Sequence, residues 1–122
     1  MDEANERSWA VLCHLGVIVG GLVPAGHILV PGSIWLWYRG RSKLIDENGR
    51  ESLNFQLTLT LYSALTLLLI YAMPPRSRKA GYAVWGVVFL FGIVNVIRAG
   101  MATYNRKKFR YPLTLRPISR AS

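Results

Sequence analysis

The chain has 122 residues, enough for one domain, and 52% of them are hydrophobic, above the ~45–50% usual for soluble domains. Fifteen Lys and Arg against six Asp and Glu give a net charge of +9, but the cations fall between and after apolar runs, the pattern of cytoplasmic membrane loops rather than of a nucleic-acid-binding face. The single cysteine, Cys13, excludes an intrachain disulfide and a cysteine-rich metal site.

These bounds predict an all-α integral membrane protein, residues 1–122 forming a single domain: a small bundle of four helical segments followed by an extended basic tail. The first residues include Asp2, Glu3 and Glu6, so they do not read as the basic n-region of a cleavable signal peptide. Residues 9–23 form the first apolar segment, with Ser8 as the expected N-cap. It is too short to cross a bilayer alone at ~1.5 Å per residue. Gly16 and Gly20 make a GxxxG, which permits close helix approach. His14 lies inside this segment, where the default reading is a hydrogen-bonded packing histidine and the sharper one is an axial ligand to a haem or chlorophyll-type pigment. His27 sits in the break that follows and reads first as a turn residue.

The second segment, 27–38, is interrupted by Pro31 and Gly32 and ends in Trp35, Trp37 and Tyr38, with Arg39 and Arg41 close behind. Such aromatics mark an interface. Residues 9–38 fit either one kinked span or a squat hairpin.

The stretch Leu44 to Gln56 leads from water into lipid. Asn48 and Glu51 have N-cap and N3 spacing, which predicts a helix over 48–73 with Asp46 and Glu47 at its positive dipole end. Glu51, Asn54, Thr58 and Tyr62 recur at three- and four-residue spacing and form one polar stripe on a leucine-rich surface. The stripe should face the bundle, either as interhelical hydrogen bonding or as the lining of a polar pathway. Pro74 and Pro75 end that helix, and Arg76 to Lys79 make a basic turn.

Residues 80–104 form the last span, with Asn95 and Arg98 one turn apart. An antiparallel return predicts that Arg98 pairs with Glu51, Asp46 or Glu47. The tail, 105–122, holds six cations, and Arg106, Lys107, Lys108, Phe109, Arg110 and Tyr111 suit an anionic headgroup surface or a docking partner. Pro112 and Pro117 argue against a further helix.

Four cations in 39–50 and seven from Arg98 onward, against three in the 76–79 turn, predict that the Leu44 to Gln56 stretch and the C-terminus lie in the cytoplasm. The expected setting is multi-pass in a membrane; only the N-terminus changes side between the two readings of residues 9–38, and Arg7 alone does not fix it.

Trp9 with Cys13, His14 and Leu15, Pro31 with Ile34 and Trp35, the run Asp46, Glu47, Gly49, Arg50, Glu51, Leu53, Asn54, Phe55, Gln56, and Tyr111, Pro112, Leu113 together resemble a family of small uncharacterised bacterial membrane proteins. That family is distantly related to the four-helix subunit of the protein-import translocon in the inner chloroplast envelope. The resemblance implies four helical segments with both termini cytoplasmic in a bacterial cytoplasmic (inner) membrane, and it favours the squat hairpin for 9–38. The chain departs from it at Asn48, where the family commonly has histidine, at Ser52, where it has alanine, and in the more basic 74–79 turn.

The leading functional expectation is a non-enzymatic accessory or assembly subunit of a larger membrane complex, partnered by the bilayer, other membrane proteins and anionic headgroups, with no cofactor and no nucleic acid. The alternatives are a translocation or insertion component using the polar stripe, and a pigment- or haem-binding subunit through His14 or His27. No nucleophile–base pair, zinc spacing or phosphate loop suggests an enzyme.

Overall fold

The computed structural model describes residues 2–20 and 25–118. Four α-helices follow one another: α1 (Glu3–Gly20), α2 (Gly26–Tyr38), α3 (Lys43–Ala72) and α4 (Arg78–Tyr104), with a single 3₁₀ turn, Pro75–Ser77, between the last two. No strand occurs among the described residues.

Local chemistry places the helix starts earlier than the apolar pattern does. The Asp2 carboxylate accepts the backbone N–H of Asn5, so α1 begins at Glu3 and Ser8 is an interior residue donating to the Ala4 carbonyl. Residues 21–23 of the expected first segment lie outside the described residues. The Ser42 hydroxyl accepts the Ile45 N–H, which sets α3 running from Lys43. Asn48 is therefore not a cap but an interior residue whose amide donates to the Leu44 carbonyl. Pro31 does not interrupt α2. Its ring is buried, and packed neighbours hold the helix through the one hydrogen bond that proline removes.

At ~1.5 Å per residue, α1 and α2 reach only about 27 Å and 20 Å, against about 45 Å and 40 Å for α3 and α4. α1 and α2 thus pair as the squat hairpin expected, which covers one end of a longer helical pair. Within it the helices meet at the predicted glycines: a Cβ on Gly16 would lie 2.7 Å from Val30, and Gly20 contacts the backbone of Gly26 directly. The hairpin packs on both long helices. One core group joins Val17, Phe55, Val96, Ala99 and Tyr111. A second joins Ala10, Cys13 and Ile45 beneath Trp9, Ile34, Tyr38 and Leu44.

α3 and α4 are long and apolar enough to cross a membrane, and only 22% and 17% of their most apolar windows are buried. The core helix of a soluble protein would be mostly covered. Here Leu57, Leu61, Leu65 and Leu68 on α3 and Val87, Leu90, Val94 and Met101 on α4 point outward, a surface that belongs in acyl chains. This is a membrane protein. At the end where the hairpin opens, Arg39 and Arg41 lie over the rings of Trp35 and Trp37, and Arg7 over Tyr104, an aromatic and cationic girdle at headgroup level.

Candidate functional site

All four residues of the α3 polar stripe are engaged by the chain's own tail, which turns back from α4 and lies along it. Glu51 accepts the Tyr111 backbone N–H at 2.8 Å and holds the Arg116 guanidinium as a fork, Nη2 at 2.7 Å and Nε at 3.2 Å. Arg116 also donates to the Tyr111 and Thr114 carbonyls, tying the loop to itself. Asn54 treats the tail as a neighbouring strand, its amide donating to the Ile118 carbonyl and accepting the Ile118 N–H, both at 2.9 Å. Deeper along α3, the Thr58 hydroxyl accepts the Leu115 N–H at 3.1 Å. Tyr62 donates to the Leu113 carbonyl at 2.7 Å.

The physical reason is accounting of backbone groups. A tail with two prolines cannot satisfy its own N–H and C=O groups helically, and away from water each unpaired group costs free energy. The stripe supplies partners for the backbone groups of Tyr111, Leu113, Leu115 and Ile118 on either side of the turn at Pro112 and Leu113.

Behind the tail, one imidazole joins four elements. The Asn48 side chain donates its N–H to Leu44, so its Oδ1 faces His14 Nε2 as an acceptor at 2.8 Å. His14 therefore carries its proton on Nε2, and Nδ1 accepts the Tyr111 hydroxyl at 2.7 Å. Thr103 of α4 reaches the same Asn48 oxygen at 3.1 Å. Tyr111 is stacked on Phe55, with ring centroids 4.0 Å apart, and Phe109 meets its edge. Burial, reinforced by the Glu51 carboxylate, pushes the Tyr111 phenol well above its ordinary value, so it remains a donor. Both nitrogens of His14 are thus occupied, and a metal or pigment ligand there would have to displace Tyr111 or Asn48. His27, in the first turn of α2, reaches the Thr60 hydroxyl at 3.0 Å.

The expected pairing of Arg98 with an acid of α3 does not form. Glu51 is taken by Arg116. Asp46 is taken by Arg50 one turn along its own helix and by the Trp35 indole N–H, and Glu47 lies 3.9 Å from Lys43. Arg98 instead donates to Asn95 and lies over the Phe109 ring, a local solution that leaves the guanidinium near the helix end. The tail also divides differently from the single basic-aromatic surface expected. Tyr111 is buried and Phe109 partly so, and Arg106 pairs with Glu3 at 2.8 Å. Lys107, Lys108 and Arg110 remain exposed, beside a groove of about 700 Å³ between α1, α3 and the tail.

The spacing of Glu51, Asn54, Thr58 and Tyr62 marks the stripe but not its occupant. Arg116 and the hub role of Tyr111 were missed, and the available signal was an acid in the stripe with an otherwise unassigned arginine in a proline-flanked tail.

A family model described as the magnetosome magnetite crystal formation protein family matches residues 5–118. The match covers the residues that carried the resemblance to small bacterial membrane proteins and adds nothing to a relationship with the chloroplast import subunit. No curated protein and no solved structure matches.

Proposed function

The chain belongs to the magnetosome magnetite crystal formation protein family, and from that premise we propose that it is a non-enzymatic membrane protein acting in magnetite formation as an accessory or assembly subunit at the magnetosome membrane. In this reading it lies with both termini on the cytoplasmic side and works beside other membrane proteins of the compartment.

The observation that carries the reading is the seating of the tail on Glu51, Asn54, Thr58 and Tyr62. With those groups spent on the chain's own backbone, what it offers to others is apolar helix surface and two charged ends, the equipment of a subunit rather than of a catalyst. The test is deletion in a magnetite-forming bacterium, followed by electron microscopy and gentle affinity purification. The proposal expects crystals of altered size or number within membranes that still form, and co-purifying membrane proteins. Unaltered crystals, or a protein recovered solely as a monomer, would count against it.

A second reading, as a translocation component, is served by the same stripe when the tail leaves it. Substrate crosslinking from Thr58 or Tyr62 that requires tail release would favour it.

A further inference from the structure

We propose that the groove at the tail end of the bundle binds a phosphoryl group, whether on an anionic lipid headgroup or as free phosphate. The inference does not rest on a role in crystal formation.

The charge around the groove is lopsided in a specific way. Its three carboxylates are each matched by a cation, Glu3 by Arg106, Glu47 by Lys43 and Glu51 by Arg116. Four lining cations have no carboxylate partner among the described residues: Arg7, which lies over the Tyr104 ring, and Lys107, Lys108 and Arg110.

The last three are exposed side chains on a loop whose backbone is held at both ends. The loop that carries them is pinned at its start by hydrogen bonds from Arg106 N–H to Thr103 and from Lys107 N–H to Ala102. At its end it is pinned by the Tyr111 N–H on Glu51 and by the buried Tyr111 ring. Concentrating like charges on a fixed loop is unfavourable for the protein alone, and a multivalent anion relieves it. Ammonium and guanidinium groups converging on one concavity are the donors that phosphate oxygens accept from.

The groove's height agrees. Its α3 wall runs through Leu44 and Glu47, the turn where Asp46 holds the interfacial indole of Trp35, so its mouth lies at headgroup level. At about 700 Å³ it is larger than a phosphate ion needs, and it falls within the ~300–1,000 Å³ of small-molecule sites.

The experiment uses the full chain, delipidated in a neutral detergent, with resistance to SDS unfolding as the readout. Probes are short-chain phosphatidate, phosphatidylglycerol and phosphatidylcholine, and inorganic phosphate and pyrophosphate at matched ionic strength. Stabilisation by the anionic lipids alone assigns the site to a headgroup, and stabilisation by the inorganic ions as well assigns it to the phosphoryl group itself; either supports the site. The Lys107→Gln, Lys108→Gln, Arg110→Gln triple variant alters exposed side chains only, and it should weaken apparent affinity on the order of a hundredfold, at roughly fivefold per surface cation. Should that variant not fold, the wild-type affinity must still fall steeply as sodium chloride rises. Equal stabilisation by phosphatidylcholine, an unchanged triple variant, or an affinity insensitive to salt overturns the proposal.

Discussion

Replacing Tyr111 tests whether the tail is part of the bundle's core. Tyr111→Phe keeps the ring stacked on Phe55 and removes only the hydroxyl, leaving His14 Nδ1, buried with the rest of its side chain, without a donor. An orphaned buried acceptor costs about 1–3 kcal/mol. Tyr111→Ala removes the ring as well, and truncating a buried aromatic costs about 3–5 kcal/mol. The chain carries its own reporter, because the single cysteine, Cys13, is fully buried one residue from His14. Where opening and closing are fast relative to labelling, maleimide modification of Cys13 tracks the population of open molecules, and each ~1.4 kcal/mol is a factor of ten. Tyr111→Phe should therefore label about five- to a hundredfold faster than wild type, and Tyr111→Ala faster than Tyr111→Phe by a further tenfold or more. Wild-type labelling in both variants would mean that the tail does not sit on the bundle. Equal acceleration in both would mean that the ring contributes nothing beyond its hydroxyl.

The Glu51–Arg116 fork should show coupling: Glu51→Gln and Arg116→Gln each cost about 1–3 kcal/mol in SDS unfolding, and the double variant costs no more than the worse single one. Strict additivity would refute the pair. A Cβ on Gly49 would lie 2.7 Å from Trp35, so Gly49→Ala should destabilise by about 1–3 kcal/mol through overpacking. Gly86, with open space around its Cβ position, should accept alanine with no loss and a gain of up to about 1 kcal/mol, read by the same titration. For topology, Lys79→Cys and Lys107→Cys should react with a membrane-impermeant maleimide from opposite sides, Lys107→Cys from the cytoplasm. Labelling of both from one side would overturn the orientation.

The parts legible in the sequence are those with a short-range signal. Four apolar segments, the punctuation at Pro74 and Pro75 and the close contact at Gly16 all follow from spacings of a few residues, and the structure has them. Helix starts were misplaced because capping side chains outrank hydrophobicity there: Asp2 and Ser42 set the first turns several residues ahead of the apolar runs. The stripe's occupant was illegible for a different reason. Glu51 and Arg116 are 65 residues apart, and the Asn54 and Thr58 partners are backbone groups of Ile118 and Leu115, which carry no residue-type signature. The pairing expected for Arg98 failed by competition: nearer or better-shaped cations already held every acid of α3.

Under the proposed role in crystal formation, the distribution of acids constrains how the protein can act. All six carboxylates, at residues 2, 3, 6, 46, 47 and 51, lie at the start of α1 or of α3, and the Glu3–Arg106 and Asn48–Thr103 contacts place both starts beside the end of α4. The opposite end, between α3 and α4, carries Arg76, Arg78 and Lys79, and the chain has no Asp or Glu after residue 51. Ferrous and ferric ions are collected by oxygen-rich, anionic ligand sets, so under the proposed orientation carboxylates facing the mineral side must come from another chain. The same cationic turn is suited to hold an acidic partner there, and that makes the accessory reading more specific. Charge reversal at the exposed Arg76 and Lys79 should release a partner while leaving the Cys13 labelling rate at its wild-type value, because Arg78 then keeps its hold on the Tyr71 carbonyl and ring. Retention of every partner by the reversed variant would show that association runs through the apolar faces of α3 and α4 instead.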